Sequence, residues 1–108
     1  MLGAFIVGLS GRAVAEPLAD CVLVTTTVSE TRTCEFTAAS DLVDVVWQGA
    51  TPLGGGYQVF VYRPDGSIRS GIGGGGGTPL PRYGTVPSQP GDRVWVWLSD
   101  GAVAVRSR

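Results

Sequence analysis

The run Pro90-Gly91-Asp92-Arg93-Val94-Trp95-Val96-Trp97-Leu98-Ser99-Asp100-Gly101-Ala102-Val103-Ala104-Val105-Arg106 decides the fold class. Valine and leucine alternate with tryptophan from Val94 to Leu98, and alanine alternates with valine from Ala102 to Val105. A period of two puts successive side chains on opposite faces, which is the geometry of a β-strand. Asp-Gly between two such runs is a strong hairpin signal, because both residues tolerate the positive φ of a tight turn. A two-residue turn at Asp100-Gly101 predicts Leu98 opposite Val103, Val96 opposite Val105, Trp97 opposite Ala104 and Trp95 opposite Arg106. One face of that hairpin is aliphatic, and the other carries two indoles.

The rest of the chain repeats the pattern in shorter pieces. Cys21 to Val28 is rich in Val, Leu and Thr and predicts a strand; Ser29-Glu30 is a turn region, and Thr31 to Ala38 a returning strand. Asp41 to Gln48 places Val43, Val45 and Trp47 on one face, which is expected to meet the core. Tyr57 to Tyr62 sets Tyr57, Val59 and Val61 against Gln58, Phe60 and Tyr62. Arg63-Pro64-Asp65-Gly66 then follows the turn pattern in which Pro presets the first central φ and Gly supplies the positive one. Ser67 to Ser70 returns, bringing Ile68 near Tyr62. Gly71 to Gly77 is expected to be a mobile loop, since glycine loses the most entropy on ordering. It lacks the strand, helix and Lys of a phosphate-cradling loop. Thr78 to Arg93 holds four prolines and predicts extended chain with one short edge strand at Tyr83 to Val86. No helical period or solenoid repeat follows residue 15.

Composition narrows the chemistry. The 108 residues suffice for one domain. His, Lys and Asn are absent, a bias expected of a GC-rich bacterial genome. The commonest general base and metal ligand, the Schiff-base nucleophile and the N-glycosylation acceptor are therefore all missing. Arg, Asp and Glu give a net charge of −1, so no basic field attracts nucleic acid or an anionic membrane.

Leu2 to Leu9 is an apolar run, and Ala13-Val14-Ala15 ends in the small-residue pattern of a signal-peptidase site. Residues 1–15 are expected to be a signal peptide, and residues 16–108 a single domain that is secreted or resides in the cell envelope. No Lys or Arg precedes the run, so the leader is expected to begin upstream of Met1. The run is too short to span a bilayer. Leu18-Ala19-Asp20-Cys21 fails as a lipidation motif at Asp20, where a small residue is needed.

Cys21 and Cys34 are the only cysteines, and in an exported chain they are expected to pair. A bridge closing a loop of about 14 residues contributes about 3 kcal/mol. Direct cross-strand pairing would set Leu23 against Arg32, so the bridge is either diagonal or joins two sheets. Two cysteines without histidine offer too few ligands for zinc and no partner to activate a thiolate.

About six to eight short strands with these turns predict a small antiparallel β-sandwich. The segment 90–106 resembles the closing hairpin of bacterial immunoglobulin-like domains, where a P-G-D turn leads into the penultimate strand. That resemblance implies an immunoglobulin-like or related sandwich and carries no functional residues. The Cys-Trp-Cys arrangement of that family is not matched, because Trp47 lies outside the Cys21–Cys34 interval.

The candidate site is the Trp95/Trp97 face, with Arg93 and Arg106 beside it. Exposed indoles stack on sugar rings or anchor a protein partner, and Arg over indole adds a cation–π contact. The competing expectation, favoured on sequence alone, is that the Thr78–Pro90 stretch covers them. Asp65, Asp92 and Asp100 sit in turns, where Asp bonds backbone N–H groups, so neither a metal site nor carboxylate catalysis is expected. The sequence thus predicts an exported, non-catalytic binding or interaction module for a protein or glycan, without a cofactor. A structural envelope or spacer domain is the alternative.

Overall fold

A computed structural model of the chain describes residues 19–25, 31–49, 56–74 and 82–108. They contain no helix and form eight strands: β1 (Cys21–Thr25), β2 (Arg32–Thr37), β3 (Leu42–Gln48), β4 (Tyr57–Tyr62), β5 (Ile68–Gly74), β6 (Tyr83–Pro87), β7 (Arg93–Leu98) and β8 (Gly101–Ser107). The strands make two antiparallel four-stranded sheets, β1-β8-β3-β6 and β2-β7-β4-β5. The signal peptide predicted for residues 1–15 lies outside the described residues. No helix long and apolar enough to cross a membrane occurs among those described.

Alternation in sequence becomes a dry layer between the sheets, because each strand turns every second side chain inward. Val43 and Val45 of β3, Val86 of β6 and Val103 and Val105 of β8 face Tyr57, Val59 and Val61 of β4 and Val94, Val96 and Leu98 of β7. All of these are at most 1% exposed. Trp47 is half-buried, its ring 5.4 Å from that of Tyr57, and its Nε1 donates to the Asp100 carbonyl at 3.1 Å.

The strands predicted at residues 94–98 and 102–105 are present, but they are not hairpin partners. β7 lies between β2 and β4, and β8 between β1 and β3. Val96 is opposite Cys34 and Val59, and Val105 is opposite Cys21 and Val45. Burial explains the difference. Paired side by side, the two aliphatic faces would both need covering by something else; placed in facing sheets, they cover each other. Ser99 and Asp100 cross from one sheet to the other. The Ser99 N–H donates to the Gly56 carbonyl at 2.9 Å, and Ser99 Oγ accepts from the Gly56 N–H at 2.8 Å. Gly101 has the positive φ its place after Asp suggests, +92°. A Cβ there would collide with the Gln48 carbonyl oxygen.

The pairs β1–β8, β2–β7, β3–β6 and β4–β5 describe one long hairpin rolled into two sheets. This is jelly-roll connectivity. It departs from the immunoglobulin order, in which the last two strands are neighbours in one sheet. The P-G-D segment does lead into the penultimate strand: Gly91 has φ +96°, its N–H donates to the Ala38 carbonyl at 3.0 Å, and the Asp92 carbonyl accepts from the Ala38 N–H at 2.8 Å. The tip of the rolled hairpin is the Pro64-Asp65-Gly66 turn, closed by an Arg63 N–H to Ser67 carbonyl bond of 2.7 Å.

Cys21 and Cys34 are bonded, with Cα atoms 6.5 Å apart. The bridge joins edge strands of different sheets, which settles the choice between diagonal and inter-sheet pairing. At the opposite side of the sandwich, Ser70 Oγ of β5 donates to the Pro87 carbonyl of β6 at 2.6 Å.

Gly71 to Gly74, expected to be loop, are the second half of β5, with Gly71 opposite Phe60 and Gly73 opposite Gln58. The reason is room: a Cβ at Gly71 would sit 2.6 Å from the Phe60 ring. Residues 75–77 lie outside the described residues.

Candidate functional site

The outer face of β2-β7-β4-β5 follows from register. Inward-facing Val94, Val96 and Leu98 force Trp95 and Trp97 outward. Likewise Tyr57, Val59 and Val61 force out Gln58, Phe60 and Tyr62. Antiparallel pairing then aligns these residues in rows across the sheet. Glu35, Trp95, Phe60 and Gly71 make the central row; Thr37, Arg93, Tyr62 and Ile68 flank it on one side, and Thr33, Trp97, Gln58 and Gly73 on the other.

Aromatic rings gather at the middle. The Trp95 and Phe60 rings are 5.8 Å apart at an interplanar angle of 15°, and the Phe60 and Tyr62 rings are 6.4 Å apart at 54°. Such pairs contribute about 0.5–1.5 kcal/mol beyond their buried area. All four aromatics of the face are half-buried. Polar side chains at the rim are more exposed. Arg93 Nη1 donates to Glu35 Oε1 at 2.7 Å, with the two side chains 62% and 49% exposed. Two shallow depressions flank the rings. One, of about 280 Å³, is lined by Glu35, Tyr62, Arg93 and Trp95. The other, of about 360 Å³, is lined by Gln58, Phe60, Ile68, Gly71 and neighbours on β5.

Trp95, Trp97 and Arg93 therefore share one face, as the sequence suggests. Arg106 does not belong to it. It lies on β8, on the outside of the other sheet, where its Nη2 is 3.3 Å from Asp44 Oδ2. Its assignment beside Trp95 required the β7–β8 register that does not form. The expected cover is also misplaced in its described part: residues 83–87 pair with β3 in the other sheet, and the Ser88 N–H donates to the Asp41 carbonyl at 3.0 Å. Phe60, Tyr62 and Glu35 join the site through strand pairing. The alternation of residues 57–62 already puts Phe60 and Tyr62 on one side, but nothing local says that β4 lies beside β7.

Asp44, Asp92 and Asp65 each bond within the fold. Asp44 accepts from Arg108 Nη2 at 2.7 Å and from Arg106, and these guanidinium groups, Arg108 foremost, hold its carboxyl below the usual value. Asp92 is 1% exposed. It accepts from Arg69 Nε and Nη2 at 2.5 and 3.3 Å and from the Gln89 N–H at 2.9 Å, and Arg69 is the main cause of its lowered pKa. Asp65 accepts from the Ser67 hydroxyl and N–H at 2.7 and 2.9 Å, as a turn Asp does. Among the described residues, no three His, Cys, Asp or Glu side chains converge as a metal-ligating group. The outside of the β1-β8-β3-β6 sheet exposes Val22, Val24, Val46 and Tyr83.

Comparison with known protein families, with curated proteins and with solved structures finds no match to this chain.

Proposed function

We propose that this protein is a non-catalytic, extracytoplasmic binding module that takes its ligand on the outer face of the β2-β7-β4-β5 sheet. The observation that carries the reading is the cluster of Trp95, Phe60 and Tyr62 on one sheet face, with the Arg93–Glu35 pair beside it. Ring faces beside hydrogen-bonding groups supply the adhesive area and the orienting contacts of a binding surface. The Cys21–Cys34 bridge supports residence in an oxidising compartment.

A second reading, a structural envelope or spacer domain, draws on the half-burial of both indoles. Acrylamide quenching of tryptophan fluorescence in the oxidised protein separates the two. Strong quenching that disappears in Trp95→Ala/Trp97→Ala supports the binding face. Tryptophans that stay uniformly protected reject it in favour of the structural domain.

A further inference from the structure

We infer that the ligand of this face is a neutral polysaccharide segment laid across the strands, with sugar rings on Trp95 and Phe60 and hydroxyl groups on the polar rim. The inference rests on the binding-module reading and adds the ligand class.

The mixture of half-buried rings and exposed polar groups is the first reason. The aromatics are half-buried, whereas Thr33, Glu35, Thr37 and Arg93 around them are exposed. A protein hot spot needs an anchor that enters a partner pocket and is sealed from water. Here half-buried rings are bordered on the β2 side by exposed polar side chains. That profile matches a ligand with an apolar C–H face and a hydroxyl-bearing edge, which is the shape of a pyranose ring. Glu35 offers acceptors and Arg93 donors, so the rim serves both roles of a hydroxyl group.

Charge is the second reason. Glu35 and Arg93 neutralise one another at 2.7 Å. Nearby, Arg63 Nη1 donates to the Ile68 carbonyl at 2.8 Å, and Arg69 is held by Asp92. These cations are engaged within the fold, and the chain as a whole carries −1. A nucleic acid or a sulfated or uronic glycan finds no positive field here.

Shape is the third. The depressions of about 280 and 360 Å³ lie beside Trp95 and Tyr62 and, beyond Phe60, along β5. Beyond Phe60 and Gln58, the strand β5 presents glycine at both partner positions, Gly71 and Gly73. The Phe60 ring extends over Gly71, so the aromatic surface reaches toward the sheet edge. Three inter-strand spacings give a track about 14 Å long from β2 to β5. An extended chain of a few sugar units fits such a track better than a compact small molecule does.

The test is affinity electrophoresis of the oxidised chain in native gels containing xylan, glucomannan or hydroxyethyl cellulose, with polygalacturonate as the anionic control. The expected result is retardation by at least one neutral polymer. Trp95→Ala should weaken it about tenfold, the loss of one stacking contact, and Trp95→Phe, which keeps a ring and guards against a folding defect, should retain most of it. Glu35→Gln should weaken it without changing the thermal midpoint. No retardation by any neutral polymer, retardation by polygalacturonate alone, or retardation unchanged in Trp95→Ala overturns the inference. Indoles accessible to acrylamide with no neutral polymer bound would remove the glycan assignment while leaving the binding face standing. Protected indoles would remove both.

Discussion

Reducing the Cys21–Cys34 bridge should destabilise the protein by about 3 kcal/mol without unfolding it. The bridge spans 13 positions in sequence. Its chain-entropy effect on the unfolded ensemble is about 3 kcal/mol at room temperature, against a typical total of about 5–15 kcal/mol. For a domain of this size, 1 kcal/mol moves the melting temperature by about 4–8 °C, so the expected fall is about 12–24 °C. The folded state should survive because each strand keeps its own ladder: β1 stays paired with β8 and β2 with β7. The assay is urea unfolding followed by tryptophan fluorescence, with and without reductant. Cys21→Ala/Cys34→Ala serves as a reductant-insensitive reference; it also loses packing, since Cys21 is 6% exposed. Oxidised and reduced midpoints within about 0.5 kcal/mol of each other would refute the entropic account. A reduced chain with no cooperative transition would refute the claim that the ladders hold β1 and β2 unaided.

Three further outcomes are expected. Gly66 and Gly101 share a φ near +90°, but only Gly101 has backbone in the way of a Cβ. Gly66→Ala should cost about 1 kcal/mol of conformational strain, and Gly101→Ala clearly more, both read from urea midpoints. Leu98 is fully buried at the end of β7, so Leu98→Ala should cost about 2–5 kcal/mol in the same assay. The carboxyls of Asp44 and Asp92 are held below 3.8 in the folded state by Arg108 with Arg106, and by Arg69. The unfolded chain therefore binds these protons first, so their stabilising effect is present above about pH 4 and is lost as the pH falls below it. Urea midpoints measured from pH 7 to pH 2 should drop at the acid end, and Asp92→Asn should flatten part of that drop.

The sequence makes the local half of this fold legible. Alternation in Val43–Trp47, Tyr57–Tyr62 and Val94–Leu98 gives strands and their buried faces, and Pro64-Asp65-Gly66 gives its turn, because both are properties of neighbouring residues. Partner choice is not local. Asp100-Gly101 favours a hairpin, but the aliphatic faces of β7 and β8 bury more by opposing each other across the sandwich. That non-local gain also separates Arg106 from Trp95 and brings Phe60 beside it. Gly71, Gly73 and Gly74 carry no strand propensity; they are strand because β4 offers an edge and the Phe60 ring needs a neighbour without a side chain at 71. β2 is weakly patterned since it is an edge strand with most of its side chains exposed.

β7 and β8 are each one of the two inner strands of their sheets. During synthesis, residues 21–87 can form only the β3–β6 and β4–β5 pairs; β1 and β2 have no ladder to join until 93–107 emerge. The two sheets are thus held open until residues 93–107 are available, and both then close together. Released truncated chains ending before Arg93 should accordingly remain sensitive to protease, and chains extending through Ser107 should be protected.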